Sequence, residues 1–344
     1  MKIIRYIFLS LGFLFCGSVY FLTESARFKE WFGNVKPDNG AFGTDRYRYG
    51  DLFGFCFVSK FKEYEKTEST FIADTCHQEK NISLLILGDS YIYKFITEKQ
   101  FYGISRLLIC NWDGDNVSFS NESDTKRILI IESTERYIRN RFLYNDPVCQ
   151  KIQNVKSRIP QHADVIEKWK DYFAPNDIHI EALLFDYGFF TKSKQLKGDI
   201  NYKWFHRLPA EVAQSTDGNR LFLSETIDDT LSTSSFSLLS NNELEVLVGN
   251  MNSIRQQYLL AGFSEVYFSF IPNPVSLIEP RLGKLNLLIE RIQNNSQRKF
   301  PIINCLELAE KNPENFFRKS DTHWTTEGCN LWVRRVNEIL SQHR

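Results

Sequence analysis

The chain has 344 residues, enough for one large domain or two small ones. Its 42 basic side chains balance its 42 acidic ones, which argues against an electrostatic binder of polyanions, so nucleic acid is not expected as a partner. Its 29 phenylalanines and 15 tyrosines supply a well-filled core and also rings that can stack on sugars.

The N-terminus carries an apolar segment that predicts a membrane anchor. Residues 6–22 contain no charged side chain, and with the two preceding isoleucines the apolar stretch reaches about 20 residues, enough to cross a bilayer. Lys2 and Arg5 stand ahead of it, which favours a cytoplasmic N-terminus and an extracytoplasmic, periplasmic body. A cleaved signal peptide is the alternative, but residues 23–27 make a poor cleavage site. We therefore predict a single-pass protein of the cytoplasmic membrane with a transmembrane helix in residues 1–22.

Seven cysteines are spread along the chain without a metal-binding spacing. None forms a Cys-x-x-Cys pair or has a histidine at ligand spacing, which argues against structural zinc. An extracytoplasmic location permits disulfides, and Cys56 and Cys76 are the nearest pair in sequence beyond the anchor. Buried free thiols fit the same spacing.

Residues 23–80 are mixed polar and aromatic with several turn sequences, and they predict a stalk that leads into a domain of residues 81–344. In that domain, short β-branched or apolar segments bounded by polar residues predict five strands. These segments are 82–87, 106–110, 127–131, 265–270 and 301–305.

Helices are predicted between and after these strands. Ser240 and Glu243 form a capping-box pattern ahead of apolar residues at helical spacing. Residues 91–99, 277–292 and 326–340 are also compatible with helices. The alternation predicts an α/β fold in which helices flank a mostly parallel sheet.

Residues 145–240 fit this alternation less well. Helical pieces near residues 163–173 and 180–190 precede a polar stretch, 215–240, that has no clear periodicity. We expect this part of the chain to be an insertion into the sheet domain that forms a lid or a substrate-facing cap.

The first motif is Gly88-Asp89-Ser90, which follows the first predicted strand directly. The glycine permits a sharp turn, and Ser90 then lies at the carboxyl edge of a sheet, where open α/β folds place their active sites. A helix that begins there would direct its amides and its dipole at an oxyanion. Such tripeptides are also ordinary turn sequences.

The second motif is Asp321-Thr322-His323-Trp324 near the C-terminus. The two-residue offset allows Asp321 to accept a hydrogen bond from one imidazole nitrogen of His323 while the other nitrogen faces a hydroxyl. The alternative is a helix-capping aspartate beside a partly buried histidine. With Ser90, the motif supplies the nucleophile, base and acid of a Ser-His-Asp triad.

The strand-Gly-Asp-Ser element with a C-terminal Asp-x-His-Trp resembles the SGNH hydrolase superfamily. More narrowly, it resembles the alginate-acetylation-like and DHHW branch of membrane-anchored polysaccharide O-acetyltransferases. The resemblance covers the layout of residues 80–340 and rests on three short motifs. It implies an SGNH-like fold without a metal or a diffusible cofactor.

The third motif, residues 131–137, resembles a segment that lies beside the catalytic serine in the same branch. The resemblance implies that Arg136 binds an acyl carbonyl or a sugar hydroxyl and that Glu132 orients it. The alternative is a solvated helix start with internal ion pairs. Tyr91, next to the first motif, and Trp324, the last residue of the second, complete this set of oxyanion and substrate-binding candidates.

Two features depart from the family pattern. The Gly-x-Asn-Asp block, whose asparagine serves the oxyanion hole of ordinary SGNH hydrolases, does not occur in this sequence. Asn273 at the end of a strand and Gly114 in a polar turn are substitute donors, although a rigid Pro-flanked turn and a surface turn explain them better. The Asp-x-His element also follows the serine, whereas it precedes the serine in the alginate proteins.

We therefore expect extracytoplasmic transfer of an acyl group, acetyl above all, to a cell-surface polysaccharide through an acyl-enzyme on Ser90. A membrane acyl-exporting protein would be the partner that supplies the donor. Two alternatives remain open: an extracytoplasmic carbohydrate acetylesterase, and a non-catalytic glycan-binding or assembly subunit that keeps the fold.

Overall fold

The structure is a computed structural model. It describes residues 2–24, 49–64, 70–73, 81–112, 114, 117–119, 126–144, 148, 151–154 and 190–343. The chain divides into two compact units, residues 1–64 with 159–208 and residues 65–158 with 209–344. The later part of the predicted insertion, residues 209–240, thus belongs to the same unit as the sheet, whereas the helical piece predicted at 163–173 lies outside the described residues.

The strands, in chain order, are β1 Ile82–Gly88, β2 Ile104–Asn111, β3 Val117–Phe119, β4 Lys126–Thr134, β5 Ile152–Asn154, β6 Val212–Gln214, β7 Leu221–Leu223, β8 Glu265–Ile271 and β9 Ile302–Ile303. The helices are α1 Lys2–Glu24, α2 Phe53–Cys56, α3 Ser90–Tyr93, α4 Glu135–Arg141, α5 Thr191–Phe205, α6 Asn241–Leu260, α7 Pro274–Ile278, α8 Leu288–Gln293, α9 Cys305–Glu310, α10 Pro313–Phe316 and α11 Thr326–Gln342.

The first unit contains α1, α2 and α5. Helix α1 covers the segment predicted as an anchor, and its side chains from residue 6 to residue 18 are exposed. No helix within the described part of the chain is long and apolar enough to cross a membrane. Cys56 in α2 is a buried free thiol, while Cys76 lies outside the described residues.

The second unit is built on a five-stranded sheet in the order β2-β1-β4-β8-β9, with every neighbouring pair parallel. These are the five strands predicted from the sequence, and the α/β fold with a mostly parallel sheet is confirmed. The chain runs from β1 outward to β2 and returns to the other side of β1 as β4. Open sheets bind ligands where the order reverses in this way, outside the carboxyl ends of the strands. That point lies between β1 and β4.

Both faces of the sheet are covered, which is why its strands read as continuous apolar runs. Alternate side chains of β1 point to opposite faces, so that Leu85 and Leu87 join one buried cluster while Leu84 and Ile86 join the other. Helix α6 covers the first cluster and α11 covers the second.

Two helix predictions were wrong in extent. The segment 277–292 is interrupted between α7 and α8 because Pro280 cannot continue a helix and restricts the residue before it. The helix after Ser90 ends at Tyr93 instead of residue 99, since Thr97 begins a separate capped turn. A four-residue helix has a small macrodipole, which weakens that part of the oxyanion argument.

Only one of the two hydrogen bonds of the predicted capping box is present at the start of α6. The Ser240 side chain accepts a hydrogen bond from the Glu243 amide at 3.1 Å. The Glu243 carboxylate turns instead to Arg139, with contacts of 2.6 and 3.0 Å. An ion pair between α6 and α4 thus replaces the reciprocal half of the capping box.

Candidate active site

Ser90 is carried on a tight turn directly after β1. The Asp89 side chain caps α3 by accepting a hydrogen bond from the Tyr91 amide at 3.0 Å. A Cβ atom at Gly88 would lie 2.5 Å from Cγ1 of Ile92, so close packing requires glycine there. The partly buried Ser90 presents its hydroxyl at the reversal point of the sheet, and its own amide has no hydrogen-bond partner in the described part of the chain.

His323 sits on a loop that is closed at both ends. Phe317 and Trp324 form an antiparallel bridge, and the Arg318 amide donates to the His323 carbonyl at 3.1 Å. The buried guanidinium of Arg220 donates to the Arg318 carbonyl at 2.6 Å. The polar stretch predicted as a lid or cap therefore contributes, through Arg220, to bracing the histidine loop.

The structure brings Ser90, His323 and Asp321 into direct contact. His323 Nε2 lies 2.6 Å from Ser90 Oγ, and His323 Nδ1 lies 2.6 Å from Asp321 Oδ1. The same Oδ1 accepts the His323 backbone amide at 2.9 Å, so a local turn holds the ring against its acid. Because the carboxylate accepts from Nδ1, Nε2 is left as an acceptor for the Ser90 hydroxyl.

Asp321 is a buried, ionised carboxylate. Burial alone would raise the pKa of Asp321, but the hydrogen bonds and charge of His323 and the charge of Arg318 hold that pKa well below its ordinary value. Arg318 Nη1 lies 3.5 Å from Asp321 Oδ2. The capping alternative does not apply, because α11 is capped by Thr325, which accepts from the Gly328 amide at 3.1 Å.

Tyr91 and Trp324 lie behind the histidine, away from solvent. The Tyr91 ring centre is 4.9 Å from that of His323, and its hydroxyl donates to the Thr322 carbonyl. Trp324 meets Tyr91 edge to face at 5.2 Å. Since they are only 1% and 0% exposed, these side chains pack the histidine loop against α3 and offer a substrate almost no surface.

Glu132 lies beneath the nucleophile turn and is completely buried. Its Oε2 accepts the Asp89 amide at 2.9 Å, and burial together with the nearby Asp89 charge raises its pKa well above the ordinary value. Glu132 therefore binds the Asp89 amide, and no contact between its carboxyl group and Arg136 is found among the described residues.

Arg141 is a residue of this network that the sequence reasoning missed. Its Nη1 lies 3.2 Å from Asp89 Oδ2, and its guanidinium carbon lies 4.6 and 4.7 Å from the ring centres of Trp112 and Tyr137. The sequence did contain a signal for such a residue. A carboxylate buried after β1 is stabilised by a cation, and α4, which carries cations, follows the neighbouring strand. Which cation of α4 reaches it depends on packing.

Arg136 is buried at the start of α4, with 8% of its surface exposed. Its Nε has no hydrogen-bond partner in the described part of the chain. Burial would lower the pKa of its guanidinium, but the electrostatic effects of Tyr91, Tyr137 and Asp89 outweigh it and raise that pKa. Because Arg136 and its neighbour Glu135 are both buried, the alternative of a solvated helix start is wrong.

Asn273 and Gly114 direct their donors elsewhere. The Asn273 side-chain nitrogen donates to the Thr233 carbonyl at 3.3 Å and to Ser235 Oγ at 3.0 Å, in the rigid turn after β8. The exposed Gly114 donates its amide to the Asn111 carbonyl at 3.1 Å. Of the candidates for an oxyanion hole, the Ser90 amide, Arg136 Nε and Trp324 Nε1 have no hydrogen-bond partner in the described part of the chain, and Trp324 is completely buried behind His323.

Comparisons with protein-family models, with curated proteins and with solved structures found no match to this chain.

Proposed function

We propose that the protein transfers an acyl group through an ester on Ser90. The observation that carries this proposal is the 2.6 Å contact between His323 Nε2 and Ser90 Oγ, with Asp321 on the opposite ring nitrogen. Serine nucleophilic catalysis requires a base that contacts the serine hydroxyl and a carboxylate that orients this base, and the three side chains have this arrangement.

In the first half-reaction, Ser90 Oγ attacks the acyl carbonyl while His323 Nε2 takes the hydroxyl proton. Negative charge collects on the carbonyl oxygen, where the Ser90 amide and the Arg136 guanidinium would donate to it. The bond to the donor's oxygen then breaks, and His323 returns the proton to that leaving oxygen. The ionised Asp321 holds the Nδ1 proton and stabilises the imidazolium in between.

In the second half-reaction, an acceptor hydroxyl loses its proton to His323 and attacks the ester carbon, and Ser90 leaves with the proton restored. We propose an acetyl group, a sugar hydroxyl of a cell-surface polysaccharide as acceptor, and a membrane acyl-exporting protein as the source. Two features of the sequence support this choice. One is the resemblance to SGNH O-acetyltransferases, and the other is the apolar segment 6–22, which we propose to be a membrane anchor that leaves the body of the protein in the periplasm.

Ser90→Ala tests the nucleophile, with the exposed Ser296→Ala as the matched control. The full chain is treated with a model acetyl ester and its intact mass is measured. We expect an acetyl adduct on the wild type and on Ser296→Ala, and none on Ser90→Ala. An equal adduct on Ser90→Ala would refute the nucleophile.

The acceptor is tested in cells that carry either variant. Loss of polymer acetylation in Ser90→Ala, with little free esterase activity of the wild-type protein, supports transfer. Rapid hydrolysis with no change in the polymer would identify an acetylesterase. Unchanged polymer acetylation and unchanged esterase activity would leave a non-catalytic subunit.

A further inference from the structure

Helix α5 presents an apolar stripe to solvent. Leu196, Ile200 and Trp204 are spaced four residues apart, so they lie on one face of the helix. They are 65%, 41% and 79% exposed, and Phe205 at the C-terminal end is 58% exposed. Single exposed apolar residues are common, but a contiguous row of this kind marks an interaction surface.

The opposite face of α5 is fixed within its own unit. Gly198 packs so closely that a Cβ there would lie 2.5 Å from the Cys56 carbonyl oxygen. Asp199 Oδ1 accepts the Ser59 amide at 2.8 Å. These contacts determine the rotation of the helix, and the outward direction of the stripe follows from them.

The stripe is flanked by positive charge. Residues 190–208 contain five basic side chains and one acidic one, a net charge of 5 − 1 = +4, in a chain whose formal net charge is zero. At about 100° per residue, Lys192 and Lys203 lie on one side of the stripe and Lys197 on the other. All three lysines are exposed.

We propose that this face of α5 docks on a lipid bilayer that contains anionic headgroups. An exposed apolar row that ends in a tryptophan and is flanked by lysines can place its side chains in the membrane interface and its positive charges at the headgroups. The lysine stems can extend along the apolar rows and leave their ammonium groups among lipid phosphates. This surface makes no use of Ser90, so it is independent of the acyl chemistry.

The test places the full chain on phosphatidylcholine vesicles whose acyl chains carry bromine, with and without phosphatidylglycerol. The fluorescence lost in Trp204→Phe isolates the signal of Trp204. We expect the bromines to quench that signal, with stronger quenching when phosphatidylglycerol is present and weaker quenching at high salt. The quenching of Trp204 should be the same in Ser90→Ala as in the wild type.

A combined Lys192→Glu, Lys197→Glu and Lys203→Glu variant should lower the docking equilibrium by at least about a hundredfold, because the loss of each lysine removes about a fivefold factor and the new carboxylates are repelled by the anionic lipids. The matched control reverses three exposed cations of the other unit, Arg281, Lys284 and Lys299, and should leave the quenching unchanged.

Three results would overturn the proposal. One is a Trp204 that stays fully accessible to iodide on both kinds of vesicle. Another is quenching that is indifferent to lipid charge and to the lysine reversals. The third is protection of Trp204 that rises with protein concentration in the absence of vesicles, which would assign the face to a second copy of the chain.

Discussion

The substitution Asp321→Asn separates the charge of the acid from its hydrogen bonds. Asp321 Oδ1 accepts both the His323 amide at 2.9 Å and His323 Nδ1 at 2.6 Å. An asparagine oxygen at the same place can accept both bonds, so the imidazole keeps its tautomer. The amide nitrogen would then face Arg318, which now lies 3.5 Å from Oδ2.

Asp321→Asn therefore mainly removes one negative charge beside the imidazolium that forms during acylation. Asp321 is only 6% exposed, so solvent screens this interaction little. For charges about 4 Å apart at an effective dielectric constant of about 20, the attraction is about 4 kcal/mol. We expect acylation of Ser90 to slow by about a thousandfold.

The assay is single-turnover acylation by a model acetyl ester, with thermal unfolding as the check on folding. The exposed Asp229→Asn is the matched control and should acylate at the wild-type rate. Asp321→Ala leaves two buried donors of His323 without an acceptor and should lose stability as well. If Asp321→Asn folds normally and acylates within about threefold of the wild type, the proposed role of the carboxylate is refuted.

Further predictions concern the surroundings of the site. Burial raises the pKa of Glu135 to about 7, so the folded protein keeps a proton that the unfolded chain releases above its ordinary pKa of 4.5. As the pH rises through that window, the wild-type free energy of unfolding should fall by about 3 kcal/mol more than that of Glu135→Gln in urea titrations. Tyr91→Phe leaves the Thr322 carbonyl without its hydroxyl donor, and we expect about tenfold slower acylation and about 1 kcal/mol lower stability. Gly88→Ala places a Cβ 2.5 Å from Ile92 Cγ1 and should cost about 1–3 kcal/mol in the same titrations.

Each of these variants has a control on the same chain. The exposed Glu245→Gln should leave the pH dependence of stability unchanged, and Tyr93→Phe, whose ring is 47% exposed, should acylate normally. Gly249→Ala meets no atom within 4 Å on the exposed face of α6 and should gain about 1 kcal/mol. If the stability of Glu135→Gln depends on pH as that of the wild type does, the argument from Glu135 is contradicted. The other two arguments are contradicted if Tyr91→Phe acylates as fast as Tyr93→Phe, or if Gly88→Ala is as stable as Gly249→Ala.

The strands of the sheet were predictable because burial on both faces demands continuous apolar runs, and such runs are visible without a partner. The interruption of the predicted helix near Pro280 could also have been predicted from the sequence, since proline restricts the residue that precedes it. The network of Asp89, Glu132 and Arg141 was not predictable. Its members lie on a turn, a strand and a helix, and the choice of partner depends on which side chains the sheet order places together.

The sequence by itself determined the local geometry of both motifs. Asp89 caps the turn that carries Ser90, and Asp321 binds the amide and the ring of His323, because these contacts span only two residues. Only the tertiary structure decided that His323 Nε2 meets Ser90 Oγ. That distance depends on the strand order and on the braced loop, and hydrogen bonds between parts of the chain so far apart are set by packing, which no local pattern encodes.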